Sequence, residues 1–568
     1  MEQEHQRQLL GTRLLEAGVI TPVQLEQALA VQKQNGKLLG VILLEMGVIA
    51  QEDVFLSLLA RHLKREYVRL KEFSVSSETI ARIPAQFASH YKVLPLEIRD
   101  EVLIAATPYP DDQSVVEGLQ LVWPGKMRLV LALEAELMDA IRRYYGVGAE
   151  TIDAMMGQRS ASSGETAAAE DLVELDSEAS IGKFLNQILL EAWHRRATDI
   201  HIEPFETELK IRYRVDGSLT DVEVPKNIFH FRDAIISRIK IMSNLNIAER
   251  RLPQDGRFKV RVQGVDLDLR VSFLPTPNGE SAVIRLLSSG RLYAFEDLGL
   301  SSGHAALLAK VIRRPHGIVF VTGPTGSGKT TTLYCCLSQV MDTDKKIITM
   351  EDPIEYLIRG VTQLQVNPRI GWTFATGLRS MLRHDPDIMM VGEVRDLETA
   401  QIAIQVALTG HLVFSTLHTN DAAGGITRLL DMGVEPYLVS SAVEVFIAQR
   451  LVRRICEHCA KEVRLTAESL RAMGFDARED TVVREGEGCE ACGWSGYHGR
   501  QGIFEFLPVD DEIGRMITQK MPASRIREYA QGQGMRSLLQ DGWDKIQQGV
   551  TTVSEVVRVT RDDGGLNG

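Results

Sequence analysis

No apolar run in these 568 residues approaches the roughly 18 that a membrane helix needs, so nothing here is built to cross a bilayer. Little resembles a secretory signal either: Met1-Glu2-Gln3-Glu4-His5-Gln6 is polar and acidic, so none is expected. The expectation is a cytoplasmic protein that meets a membrane only through a partner. Positive charge is in deficit. A net charge of −12 argues against a general nucleic-acid binder. Cysteine is scarce, six in all, in a setting that disfavours disulfides. What remains is ordinary globular composition, 44% apolar and 25% charged, with room for roughly four domains.

The densest signal is Gly323-Pro324-Thr325-Gly326-Ser327-Gly328-Lys329-Thr330. The apolar run Ile318-Val319-Phe320-Val321 before it reads as a strand buried on both faces, and Thr331 onward can open a helix. Strand, glycine loop and helix make a P-loop. Its backbone N–H groups converge on a phosphate chain at a positive helix end. Lys329 is then the ligand of the β- and γ-phosphates, and Thr330 of Mg²⁺. The chain binds a nucleoside triphosphate.

Three later segments repeat the design of a buried strand with a polar tip, as expected at the C-terminal edge of a sheet. Residues 346–350 lead to Glu351, 387–392 lead to Glu393, and 412–416 lead to His418. Glu393 fits the Mg²⁺ side of a Walker-B strand, and Glu351 is placed to orient or deprotonate the attacking water. His418 reads as a γ-phosphate sensor. Alone, each would be an ordinary loop residue; arriving together around one P-loop, they form a catalytic set.

Elsewhere the chain is punctuated clearly. Residues 1–64 repeat with a period of 29: Leu10-Gly11 matches Leu39-Gly40, and Gly18-Val19-Ile20 matches Gly47-Val48-Ile49. Thr21-Pro22-Val23-Gln24 is a helix start with cap, proline and capping glutamine. Residues 65–148 read as mixed α+β, with a hairpin or meander over Leu94–Ile98 and Val102–Ala106. Residues 149–180, with a Ser/Gly tract and an acidic run, read as a flexible linker. A second domain follows over 181–289, where Leu209–Val215 alternates like a half-exposed strand and ends at an Asp216-Gly217 turn. Residues 290–568 hold the P-loop domain.

Cys456-Glu457-His458-Cys459 and Cys489-Glu490-Ala491-Cys492 are two C-x-x-C knuckles with 29 residues between them. Four thiolates at this spacing point to a closed, structural Zn²⁺ site within 453–500. Cys335 and Cys336 read as core thiols.

Several of these motifs carry a family resemblance. Met350-Glu351-Asp352-Pro353-Ile354-Glu355, Val391-Gly392-Glu393-Val394-Arg395-Asp396 and Ser415-Thr416-Leu417-His418-Thr419-Asn420 resemble the Asp box, Walker B and His box of secretion ATPases. Ala197-Thr198-Asp199-Ile200-His201, Arg214-Val215-Asp216-Gly217 and Arg251-Leu252-Pro253-Gln254-Asp255-Gly256-Arg257 resemble the second N-terminal domain of the type II secretion and type IV pilus assembly branch. The resemblance implies a multidomain α/β fold: a RecA-like ATPase core, a preceding PAS-like α/β domain, a zinc insert, and an N-terminal helical-repeat and α+β region. It implies a homohexamer using ATP and Mg²⁺, with Arg257 and Arg270 (or Arg214 and Arg285) meeting phosphates in cis or from a neighbour. It also implies attachment to inner-membrane platform proteins, with no nucleic acid. The tetracysteine element and the long N-terminal region favour assembly over retraction motors, and the spacing favours the type II secretion ATPase over pilus extension. The paired repeats are similar to a domain that in some members binds cyclic di-GMP. Here Leu9 and Leu38 stand in the arginine places, so a cyclic di-GMP site and a plain docking module are both open, as is a nucleotide-responsive regulator.

Overall fold

The computed structural model describes residues 15, 20–35, 42–43, 46, 60, 65–70, 73–149, 151–152, 168–262, 264–287 and 293–560. It divides into two units, residues 1–215 with 219–286 and residues 216–218 with 287–568. Among the described residues no helix is long and apolar enough to cross a membrane.

In the first unit the helix Pro22–Asn35 starts as the sequence predicts. Thr21 Oγ1 accepts from Gln24 N at 3.4 Å, and Gln24 Oε1 accepts from Thr21 N at 2.8 Å, a reciprocal cap. Leu9 and Leu38 lie outside the described residues. The predicted hairpin forms as β1 (Leu94–Arg99) and β2 (Val102–Thr107), which pair antiparallel. Its two turn residues, Asp100 and Glu101, both have positive φ, 50° and 62°. That geometry matches the right-handed twist of the strands. A third strand, β3 (Lys126–Leu131), pairs parallel to β2.

The linker expectation needs correction in its second half. From Ala168 the chain is a helix running to His194. Alanine, leucine and glutamate dominate residues 168–175, and their helix propensity outweighs the repulsion between like charges. Further on, Ile181, Phe184, Leu185, Ile188, Leu189 and Ala192 bury one stripe at helical spacing. That stripe covers a six-stranded sheet of β4 (Ala197–Pro204), β5 (Leu209–Val215), β6 (Ser218–Val222), β7 (Gln254–Val262), β8 (Val265–Thr276) and β9 (Gly279–Leu287), in the order β6-β5-β4-β9-β8-β7. The predicted Asp216-Gly217 turn is present, with φ of 49° and 89°.

The second unit is built on seven strands: β10 (Gly317–Thr322), β11 (Ile347–Glu351), β12 (Thr362–Gln365), β13 (Ile388–Val391), β14 (Leu412–Leu417), β15 (Val443–Ile455) and, after an excursion, β18 (Tyr497–Pro508). Their order is β12-β11-β13-β14-β10-β15-β18. All neighbours are parallel except β15 and β18. The excursion is a two-stranded ribbon, β16 (Ala460–Leu465) and β17 (Thr481–Gly486). Ile318, Val319, Phe320 and Val321 of β10 are fully buried. At roughly 1.5–3 kcal/mol for each such side chain, central strands of this kind dominate the core. The four predicted strands are all found, and their C-terminal ends share one edge.

Candidate nucleotide site and metal centre

β10 ends at Thr322, and the chain passes through Gly323–Gly328 into the helix Lys329–Val340. Gly326 and Gly328 hold φ of 80° and 88°, a conformation that side chains strain. A Cβ at Gly323 would come within 2.6 Å of both Gln449 O and Ser327 Oγ, so the loop closes only around glycine. Lys329 Nζ folds over the loop and donates to Gly323 O at 2.8 Å and Pro324 O at 3.0 Å. Burial draws its pKa down to about 8; Glu393 opposes the shift and Arg450 adds to it. Ser327 Oγ is buried with no hydrogen-bond partner among the described residues. A polar atom left that way calls for a ligand. With Lys329 beside it, the loop suits phosphate oxygens. Pro324, Thr325 and Gly326 are exposed at its rim, and Thr330 and Thr331 are half-buried in the first helical turn.

Glu393 follows β13 on a turn braced by β14. Thr416 Oγ1 donates to Gly392 O at 2.7 Å, and Ser415 Oγ to Val391 O at 2.8 Å. The carboxylate, 8% exposed, meets Arg395 Nη2 at 2.5 Å and His418 Nε2 at 3.3 Å. Glu393 and His418 are thus in direct contact, and Glu393 acts electrostatically on Lys329. Thr330 and Glu393 carry hard oxygen atoms of the kind that Mg²⁺ takes beside phosphates.

Glu351 behaves differently. It is 2% exposed, and its carboxylate accepts from Tyr334 OH, from Thr349 Oγ1 at 2.5 Å and from Gln363 Nε2 at 3.1 Å. Burial raises its pKa, and those three hydrogen bonds hold it down. Glu355, four residues on, is half-buried.

Past the C-terminal end of β15 the four knuckle cysteines converge. Their Sγ atoms all lie within 4.8 Å of one another. Cys456 to Cys489 is 3.8 Å, Cys459 to Cys492 is 3.9 Å and Cys489 to Cys492 is 3.7 Å. Sulfurs about 2.3 Å from a tetrahedral centre stand about 3.8 Å apart. Backbone N–H groups of Cys489 and Gly496 donate to Cys492 Sγ at 3.2 and 3.3 Å. The donor set fits one soft, four-coordinate ion. Cys335 and Cys336 are core thiols, pushed up by burial, Cys335 to about 12.

Residues 174–558 match the family model described as type II/IV secretion system protein. The chain belongs to that family. It is 47% identical over 484 residues to the type II secretion system protein E of Xanthomonas campestris, covering 84% of each chain. It is 38% identical over 563 residues to the type IV pilus assembly ATPase PilB of Myxococcus xanthus, covering 98% of this chain and 99% of that one. The ATPase DotB of Legionella pneumophila shares the fold, with a TM-score of 0.50 at 22% identity over 66% of this chain and 95% of its own. This secretion-family protein is an ATPase with an α/β core. A second model, the MshEN domain, matches residues 63–151, the segment read as mixed α+β rather than the 29-residue repeats.

The four arginines expected to meet phosphates lie in the first unit of this secretion ATPase, and three of them stand in ion pairs there. Arg257 grips Asp268 with two hydrogen bonds, 2.7 and 2.6 Å, and Arg270 is its cross-strand neighbour. Arg214 and Arg285 share Asp199 at 3.9 and 2.8 Å. Sequence reasoning missed Tyr334, Gln363 and Gln449. A tyrosine within a helix core and a glutamine on an edge strand carry no local signal of their role.

Proposed function

We propose that this ATPase is a cytoplasmic homohexamer, peripheral at the inner membrane, that hydrolyses ATP to drive pseudopilus assembly in type II protein secretion. The observation that carries this is the 47% identity, over 84% of both chains, with a protein named for that system. A second reading, pilus extension, is favoured by the likeness to a pilus assembly ATPase along 98% of this chain.

In the hydrolytic site, Lys329 and the backbone of residues 323–331 bind the phosphates, with N–H groups from every residue there but Pro324. Thr330 and Glu393 are the groups that would hold Mg²⁺, which neutralises phosphate charge when bound. His418, oriented by Glu393, meets the γ-phosphate. Glu351 was the water-directing acid of the sequence reading. Its oxygens are occupied by three protein donors, which suits an anchor for the 351–355 loop, and we assign the water to Glu355. Arg257 and Arg270 approach the phosphates from the same or a neighbouring subunit, an addition that can contribute about 10³–10⁵ in rate. Zn²⁺ at Cys456, Cys459, Cys489 and Cys492 is structural, since four protein ligands leave no open position. The domains divide at about residues 64, 148 and 289, and the linker after 148 ends where the helix begins at Ala168 rather than at 180. The N-terminal region docks on the cytoplasmic part of an inner-membrane platform protein. Leucine at positions 9 and 38 offers neither charge nor hydrogen bonds to cyclic di-GMP, which favours docking as its role.

The test is made in cells carrying Lys329→Ala in place of the native gene. Exoproteins trapped in the periplasm with normal pili assign the motor to secretion. Lost pili with normal export assign it to pilus extension, and no change in either rejects both.

A further inference from the structure

β15 neighbours β10 on the side away from β14. Its register sets Ala448 against Thr322, the last residue of β10. Gln449 and Arg450 therefore run on past that strand end, beside the phosphate loop. Successive side chains of a strand face opposite ways, and the packing of β15 follows this rule. Val445 and Ile447 share one core with Leu333 and Leu337 of the P-loop helix. Phe446, Ala448 and Val452 share the other with Ile426 and Leu429, from the helix Ala422–Asp431 that follows the His418 loop.

Hydrogen bonds continue the alternation. Gln449 Oε1 accepts from Thr332 Oγ1 at 2.8 Å, and both residues are buried. The backbone O and side-chain Nε2 of Gln449 are the atoms that a Cβ at Gly323 or Gly328 would strike, at 2.6 and 2.8 Å. Arg450, 7% exposed, donates through Nη2 to Asn420 O at 2.9 Å and Asn420 Oδ1 at 3.4 Å. Its Nη1 donates to Gln449 O at 3.2 Å.

We propose that Gln449 and Arg450 are the positioning pair of the hydrolytic site, one setting the phosphate loop and the next setting the His418 loop. Adjacent residues of one strand hold a fixed separation of about 3.8 Å between Cα atoms. They form a stiffer gauge than two loops that meet only through a substrate. The guanidinium suits this task because its planar fork spans two acceptors, which an ammonium on a shorter reach does not. Its charge also acts on Lys329 and so adds positive potential where triphosphate charge gathers.

The experiment compares full-length Arg450→Lys and Thr332→Val with the parent in steady-state ATP turnover, each well below its own melting temperature. Arg450→Lys keeps the charge and loses the fork. It is expected to lower kcat at least about tenfold with KM for ATP within about twofold. Thr332→Val keeps the shape and removes the partner of Gln449. It is expected to raise KM about fivefold or more with kcat within about threefold. That division, kcat to one side chain and KM to the other, supports the pair. Parental turnover in Arg450→Lys overturns it. So does any pattern in which both substitutions move kcat and KM together, or in which lost turnover follows only a lowered melting temperature.

Discussion

The two large sheets of this ATPase bury their residues in different ways. Every residue of β10, β11, β13 and β14 is buried, whereas β5 and much of β8 alternate buried with half-buried positions. A parallel strand covered on both faces has no room for a working polar group along its length. Chemistry is pushed past the strand ends, where Lys329, Glu393 and His418 stand. An antiparallel sheet with one open face can carry charged groups in mid-strand, and there Arg212, Arg214, Arg257, Arg270 and Arg285 are found. One sheet carries its charged groups at an edge and the other along a face.

The sharpest way to break that contrast is to remove one group of each kind. Glu393→Gln is expected to cut kcat by about 10³ while ATP still binds, measured by turnover and by nucleotide titration. On the open face, Arg257→Gln should cost at least about tenfold more kcat than Asp268→Asn. Equal losses would make their ion pair a structural element and leave the chemistry to the strand ends alone.

A smaller effect divides two carboxylates of one loop. Glu355→Gln is expected to lower kcat by about 10² with little change in melting temperature. Glu351→Gln should instead lower the melting temperature, because Tyr334, Thr349 and Gln363 lose a charged acceptor; about 1–3 kcal/mol is the scale. The reverse pattern would return the catalytic acid to Glu351.

Cys456→Ser is expected to release about one zinc per chain and lower the melting temperature, with KM for ATP within about twofold. Metal analysis and nucleotide titration of the same sample check both halves. If the native protein carries no zinc, the metal assignment fails.

The smallest effect is a titration. Lys329 in the folded chain lies at about 8, below the roughly 10.4 of an unfolded lysine. Between those values the unfolded chain binds more protons, so stability rises with pH across the window. Its buried charge destabilises the fold below pH 8 and is relieved above it. Denaturant melts from pH 7 to 10 should show this rise, and Lys329→Met should flatten it.

Much of this was legible in the residue order because it depends on near neighbours. Glycines at 326 and 328, a wholly apolar run before them, and the Thr21-Gln24 and Asp216-Gly217 signals each specify local backbone, and each appears where the sequence placed it. The two C-x-x-C knuckles needed only one further step, since four thiolates in one chain have few alternatives to a shared ion. Local reading failed where two local tendencies competed. The acidic run after Ala168 repels itself as a coil, yet its alanine and leucine content, together with the stripe from Ile181 to Ala192, makes it a helix.

The sequence by itself thus determined the phosphate loop, the buried strands and the four-thiol cluster, because backbone preference and side-chain type are properties of neighbouring residues. Tertiary structure alone decided that Glu351 is enclosed by Tyr334 and Gln363, that Glu393 touches His418, and that Gln449 and Arg450 bracket the site. The partner of a side chain is set by which elements the core packs together, and no residue carries that information in its own neighbourhood.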